Sequence, residues 1–257
     1  MASSLSDGAG STAYGTAHST ADGTADGAVH ALYRDAPVPV RHDLVQAHLA
    51  TIDGWASPGN WWSAAERLAM VDQVRRARAA DELPPWVRPS TVEGLVDPDC
   101  ALPDAAVDAV WRLTNHSGTL TAEWYAETVD AGLSAEQYVE LVGVVATANC
   151  IDVFATAIGV EAAPLPSPAE GEPDRAVVDD VAVSTHWVPT APVRGANVGK
   201  ALTSVPVAAE AWRRLSDAQY VPPEALLKDL TWSRGALDRM QVELLAARTS
   251  LLNECFY

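Results

Sequence analysis

Basic residues are scarce in this chain. Its 257 residues include 17 Lys and Arg against 34 Asp and Glu, which gives a formal net charge of −17 at pH 7. Binding to nucleic acid or to anionic lipid depends on clustered Lys and Arg side chains that neutralise phosphates. The composition therefore argues against a nucleic-acid partner and against docking on an acidic membrane surface.

Cysteine is rare as well. The three cysteines, Cys100, Cys150 and Cys255, are too few and too widely spaced for a disulfide framework. Residues 1–33 contain neither Lys nor Arg and no long apolar run, so they do not resemble a secretory signal peptide. These absences lead us to expect a cytoplasmic protein. Cys150 lies in an apolar stretch, and we expect it to be a small, inert, buried residue.

Polar residues interrupt the longest apolar stretch, Val139–Val160. Glu140, Asn149 and Asp152 lie within it and would be costly at the depth of a bilayer. The stretch is therefore predicted to form a buried helix rather than a membrane span.

Apolar residues recur at helical spacing through most of the remaining chain. Two capping boxes mark predicted helix starts, one formed by Ser63 with Glu66 and one by Ser134 with Gln137. Gly132 is predicted to end the helix that precedes the second box. There is no sustained strand alternation and no βαβ rhythm, so the sequence predicts an all-α fold.

Composition divides the chain into four parts. Residues 1–36 are rich in small and polar residues and are predicted to be a disordered leader. Residues 37–162 form a first helical group, in which Asp104 is a predicted N-cap. Residues 163–196 are a Pro- and acid-rich linker, expected to be a solvated tether. Helical patterning returns over residues 197–257.

A motif with redox character lies at residues 241–257, which read QVELLAARTSLLNECFY. Eleven residues separate Glu243 from Cys255. This run resembles the active-site segment of the AhpD-like alkylhydroperoxidase family, which shares its fold with carboxymuconolactone decarboxylases. The family motif is a Glu, eleven residues, and then Cys-x-x-Cys-x-x-x-His. Phe256 and Tyr257 match the two positions between the cysteines.

The resemblance implies reduction of peroxides without a bound cofactor. Glu243 would be the proton relay and Cys255 the resolving thiol, while the attacking Cys and the His have no counterpart among these residues. Asn253 is a suitable cap for a helix whose first turn would favour the Cys255 thiolate. The implied partners are a peroxide substrate and a thiol reductant, and the family is commonly homo-oligomeric.

Three explanations stay open for the position after Tyr257. The chain is a fragment, the gene carries a premature stop, or a stop codon is recoded as selenocysteine in a Cys-x-x-Sec centre. An in-frame TGA followed by codons for x-x-x-His would support recoding. Without the helices that follow the motif in the family, the apolar face of Leu237, Met240, Leu244 and Leu251 is expected to be partly uncovered.

The first helical group resembles the same family with its motif degraded. Residues 121–159 resemble the two helices that follow the motif, and counting back from them locates the motif positions. The Glu position falls on Ala105, the two Cys positions on Ser117 and Leu120, and the His position on Trp124. This repeat is therefore predicted to be structural. The resemblance implies two tandem AhpD-like helical repeats, the second truncated.

Two other functions remain open. One is a lactone decarboxylase-like enzyme of the same fold, which needs no cysteine pair. The other is a non-catalytic oligomerisation or partner-binding protein. The six histidines show no spacing typical of a metal site, so no metal ligands are predicted.

Overall fold

Helices are the regular secondary structure in the part of the chain that the computed structural model describes, namely residues 32–80, 100–184, 186–195, 197–222, 225 and 231–252. Within these ranges, β-structure is limited to isolated bridges, Ala182 with Thr190 and Arg234 with Leu237. The predicted all-α class is confirmed. Most of the predicted leader, and Cys255, lie outside the described residues. The described α-helices are α1 (His42–Trp55), α2 (Ala64–Ala79), α3 (Asp104–Asn115), α4 (Ala122–Asp130), α5 (Ala135–Ala157), α6 (Asn197–Lys200), α7 (Pro206–Gln219) and α8 (Arg239–Leu252), with a 3-10 turn at Ser117–Thr119.

Both predicted capping boxes are present. At the start of α2 the Ser63 hydroxyl accepts from the Glu66 N–H at 3.3 Å, and the Glu66 carboxylate accepts from the Ser63 N–H at 2.8 Å. Ser134 and Gln137 make the same reciprocal pair at the start of α5, at 3.1 Å and 3.0 Å. Gly132 follows α4 with φ +106°, a conformation that favours glycine. Local sequence therefore defines these helix ends.

Two local predictions were wrong. Asp104 is the first helical residue of α3 rather than its N-cap, because Pro103 already occupies the extended cap conformation. The Asp104 carboxylate still lies in the first turn, where unpaired N–H groups favour negative charge. Cys150 is exposed rather than buried. It lies on the outer side of α5, whereas Thr147 and Ile151 on the same helix are buried.

The core forms where α2, α3 and α5 pack together. Met70 and Val71 of α2, Val110 of α3 and Leu141 of α5 are completely buried in one cluster. Among the described helices, α5 is long and apolar enough to cross a bilayer, by length and composition alone. However, 61% of its most apolar 18-residue stretch is buried inside the protein. Its apolar residues thus contribute to the helical core.

Helix α7 packs against α1 and α5, although the linker separates it from them in sequence. Val205 and Ala208 are buried together with Val139 of α5. The approach is close at Gly143, where an added Cβ would lie 2.7 Å from the Ala208 Cβ. Residues that follow the linker therefore complete the core of the first helical group. The tandem-repeat relationship stays a prediction.

The first part of the linker is attached to the loop between α1 and α2. The Ala169 N–H donates to the Ala56 carbonyl at 2.8 Å, and the Arg175 N–H donates to the Asn60 carbonyl at 2.9 Å. The Asn60 side-chain amide also donates to the Asp174 carboxylate at 2.8 Å. Most residues of this part of the linker are exposed, and these hydrogen bonds hold it against the loop, a contact that composition does not reveal.

Helix α8 leaves much apolar surface uncovered. Val242 is buried in a small cluster with Val221 and Ala225. Leu237, Met240, Leu244 and Leu251 are exposed by 38%, 82%, 70% and 67%. The predicted uncovered face is therefore confirmed.

Candidate functional site

The carboxylate of Glu243 lies in the second turn of α8 and is held by two neighbours. The Tyr220 hydroxyl donates to Oε2 at 2.6 Å, and the Arg239 Nε–H donates to Oε1 at 2.7 Å. The hydrogen bond from Tyr220 and then the contact with Arg239 lower the pKa of Glu243. The side chain is 44% exposed, so an ionised carboxylate is fixed in place while still meeting water.

Tyr220 is positioned by the end of α7. The Arg234 guanidinium donates to the carbonyls of Tyr220 at 2.9 Å and Ala218 at 3.0 Å, which lie at or just beyond the last helical turn. Burial and the hydrogen bond to Glu243 raise the pKa of Tyr220 to about 12, so its hydroxyl remains a donor. Sequence reasoning missed Tyr220, whereas Arg239, four residues before Glu243, has the spacing of a helical ion pair.

Cys255, the other predicted site residue, lies outside the described residues. The structure therefore brings Tyr220 and Arg239 to Glu243, and the pairing of Glu243 with Cys255 stays a prediction.

The positions to which the resemblance assigns a degraded motif lie in α3, in α4 and in the turn between them. Ser117 lies in the 3-10 turn, and the Trp124 side chain is buried in α4. The Trp124 indole N–H donates to the Asp108 carboxylate at 3.1 Å, and the same oxygen accepts from Arg112 at 2.8 Å. The Arg112 guanidinium also lies 5.8 Å from the centre of the Trp124 ring. This cluster packs α3 against α4, and the structural role of the predicted first repeat stays a prediction.

No protein-family model, curated protein or solved structure matches this chain. The AhpD-like resemblance therefore stays a prediction based on the motif residues. Two groups of side chains that the fold brings together are therefore candidates for chemistry: the contacts around Glu243 and a buried ion pair.

That buried ion pair joins Arg67 of α2 to Glu140 of α5. The Arg67 NH1 lies 3.4 Å from Glu140 Oε1, and the two side chains are 4% and 0% exposed. The Trp61 N–H donates to the other carboxylate oxygen at 2.7 Å. Burial raises the pKa of Glu140, an effect that Arg67 opposes, and burial lowers the pKa of Arg67. Burying two charges is costly unless their remaining polar atoms are satisfied.

A cavity of about 180 Å³ lies beside this pair. Three of the pair's buried atoms, Glu140 Oε1 and the Nε and NH1 of Arg67, have no hydrogen-bond partner. The sequence prediction had treated Glu140 only as an interruption of an apolar stretch. An acidic residue within an otherwise buried helix was the signal that could have identified it. Residues that line the cavity include Trp55, Arg67, Glu140, Val144, Thr147 and Ala211.

The other two thiols are separate from these groups. Cys100 is half-buried, with its sulfur 3.9 Å from the Gln73 side-chain nitrogen, and Cys150 is exposed on α5. Within the described ranges no cluster of three or more His, Cys, Asp or Glu residues is arranged to hold a metal ion.

Proposed function

We propose that Glu243 and Cys255 belong to a thiol-dependent, AhpD-like peroxide-reducing centre in a cytoplasmic, homo-oligomeric protein. The supporting observation is the fixed, ionised and solvent-accessible carboxylate of Glu243, eleven residues before a thiol. A carboxylate held in this way can accept a proton from a nearby thiol and pass it to water.

The complete cycle requires two thiols, or one thiol and one selenol. The attacking thiolate or selenolate breaks the O–O bond, becomes a sulfenic or selenenic acid, and releases an alkoxide that takes a proton and leaves as the alcohol. The Cys255 thiolate then attacks that sulfur or selenium, hydroxide leaves and is protonated to water, and a disulfide or selenenyl sulfide forms. An external thiol reductant supplies two electrons to restore both groups. Because the motif contributes one sulfur among these 257 residues, we expect oxidation of Cys255 without turnover.

The test is the rate of Cys255 oxidation by hydrogen peroxide, followed residue by residue with mass spectrometry. Glu243→Gln removes the proton acceptor and is expected to slow oxidation by about tenfold or more. Asp72→Asn is the matched control, because Asp72 forms an exposed ion pair with Arg76 at 2.7 Å on another helix, with the same four-residue spacing. This variant is expected to leave the rate unchanged.

Equal rates in the parent chain and Glu243→Gln would contradict the proposed relay. Continuous turnover of peroxide by the 257-residue chain would contradict the motif assignment. Full activity of Cys255→Ser on a lactone substrate would instead favour a lactone decarboxylase-like enzyme. Stable assembly of residues 37–165, with no redox activity in any form of the protein, would favour a non-catalytic oligomerisation or partner-binding role.

A further inference from the structure

A separate cavity, of about 320 Å³, lies where the end of the linker meets α3 and α5. Much of its lining is apolar, including Leu113 of α3 and both Val139 and Val142 of α5. Trp187 of the linker also lines the cavity and is 37% exposed, so it lies at the rim. Sites for small molecules are typically concave, mostly apolar and about 300–1,000 Å³ in volume. The cavity therefore has the size and the lining of a ligand site.

Carboxylate, guanidinium and ammonium groups are absent from this lining. Among the described residues that line the cavity, the polar side chains are those of Tyr138, His186, Thr190 and Asn197, and none is Asp, Glu, Lys or Arg. An ion that entered would lose its hydration without meeting an ion of opposite charge. The cavity therefore favours a neutral occupant.

The Tyr138 hydroxyl is a polar group of this lining without a partner. Tyr138 is 4% exposed, and its hydroxyl forms no hydrogen bond within the part of the chain that the structure describes. Atoms such as Glu140 Oε1 have neither a hydrogen-bond partner nor accessible surface. The Tyr138 hydroxyl is not one of these sealed atoms, so it remains accessible. Because the cavity is the space that Tyr138 lines, an occupant of the cavity is the partner within reach.

Aromatic neighbours hold the Tyr138 ring in place. The rings of Tyr125 and Trp124 lie edge-on to it, with their centres 5.0 Å and 6.0 Å away. Burial, with a smaller effect of Tyr125, raises the pKa of Tyr138 above its ordinary value, so the hydroxyl keeps its proton. A phenol donates a hydrogen bond more readily than it accepts one, because its oxygen lone pair is delocalised into the ring. The matching ligand group is therefore an acceptor.

We propose that this cavity binds a small, neutral, apolar molecule whose carbonyl oxygen accepts a hydrogen bond from the Tyr138 hydroxyl. The hydrocarbon part of the ligand packs against Val142 and Trp187. The cavity of about 320 Å³ is about twice the size of an engineered cavity of about 150 Å³ that binds benzene, so it has room for a substituted aromatic ring. The site shares no residue with Glu243 and Cys255 and is independent of the peroxide chemistry proposed above.

The test uses acetophenone as the probe and the indole N–H signal of Trp187 as the NMR readout. Trp187→Phe identifies this signal among those of the nine tryptophans. α-Methylstyrene is the comparison probe, because it has nearly the same shape but carries a methylene group in place of the carbonyl oxygen. We expect saturable shifts with both neutral probes and binding of the benzoate anion that is weaker by about tenfold or more.

Tyr138→Phe removes the hydroxyl and keeps the ring. The affinity for acetophenone is expected to fall about three- to tenfold, the factor that one hydrogen bond contributes, while the affinity for α-methylstyrene stays unchanged. Comparing the two probes separates the hydrogen bond from the hydrophobic contacts. Tyr125→Phe is the matched control, because Tyr125 does not line the cavity, and it is expected to leave both affinities unchanged.

Val142→Phe fills the cavity and is expected to abolish both shifts. Val153→Phe is its control, because Val153 lies on the same helix, is 45% exposed and does not line the cavity. Thermal unfolding establishes that both variants are folded, and the Tyr138→Phe comparison decides alone if Val142→Phe is not. The proposal is overturned by equal effects of Tyr138→Phe on both neutral probes, by equal binding of benzoate, by shifts that survive Val142→Phe, or by no saturable shift, meaning that water alone fills the cavity.

Discussion

Acid should destabilise this protein through His48. The imidazole is completely buried in α1, and its Nδ1 forms a hydrogen bond of 2.6 Å with the Tyr33 hydroxyl. The Phe154 ring lies edge-on with its centre 5.1 Å away, and His48 Nε2 has no hydrogen-bond partner. The other charge near this cluster belongs to Asp152, which acts on Tyr33 and is itself paired with Arg75. No acid contacts the ring directly in the described structure, so no carboxylate there stabilises a protonated His48.

Burial lowers the pKa of His48 from 6.5 to about 4. Between these values the unfolded chain binds a proton that the folded protein does not, so the free energy of unfolding falls as the pH falls. The contribution is complete above the unfolded pKa of 6.5 and is lost as the pH approaches 4. One pKa unit corresponds to about 1.4 kcal/mol, so the full loss is about 3 kcal/mol.

The assay is urea unfolding across this pH range for the parent chain and for His48→Gln. Glutamine stays neutral and retains an acceptor for the Tyr33 hydroxyl. The pH dependence of the variant's stability therefore contains no contribution from the imidazole. Other titrating groups, including Glu140 with its raised pKa, affect both proteins and cancel in the difference. We expect the stability of the parent to fall by about 3 kcal/mol more than that of the variant. Parallel curves, or an NMR titration midpoint of His48 near the ordinary histidine value, would refute the reasoning.

Two further substitutions test the packing of α7. Gly143→Ala is expected to lower the free energy of unfolding by about 1–3 kcal/mol because of overpacking against Ala208, and adding Ala208→Gly should recover part of this loss in thermal unfolding. Asn60→Ala removes the bonds to Asp174 and to the start of α7 and is expected to speed proteolysis within residues 163–175. Asn115→Ala, which removes a single 2.8 Å bond elsewhere, should leave that cleavage unchanged, and equal cleavage in both variants would contradict the assigned role of Asn60.

Helix starts and ends were the most predictable part of the fold. A capping box needs only four consecutive residues, so Ser63 and Ser134 carry their own signals. The exposed face of α8 was also predictable, because its apolar residues are spaced along one helix. Cys150 was wrongly predicted to be buried, because an almost continuously apolar stretch does not indicate which side of α5 faces the solvent.

Contacts between distant segments were not predictable. The helical pattern of α7 shows that one face is buried but does not name the helices that bury it. Arg67 and Glu140 lie 73 residues apart, and neither occurs in a motif that indicates the other. Tyr220 follows a helix and reaches Glu243 only because the chain folds back. In each case a long-range contact supplies information that local patterning does not contain.

The Asn60 side chain has a consequence for the order of folding. Its bonds to Asp174 and to the Val207 N–H span 114 and 147 residues of sequence. Loops of this length are entropically costly to close, and contacts across them slow folding and tend to form late. The helices α1, α2, α3 and α5 can collapse through shorter connections before Asn60 finds either partner. We therefore expect α7 and the Pro-rich segment to dock late in folding, both through contacts with the Asn60 side chain.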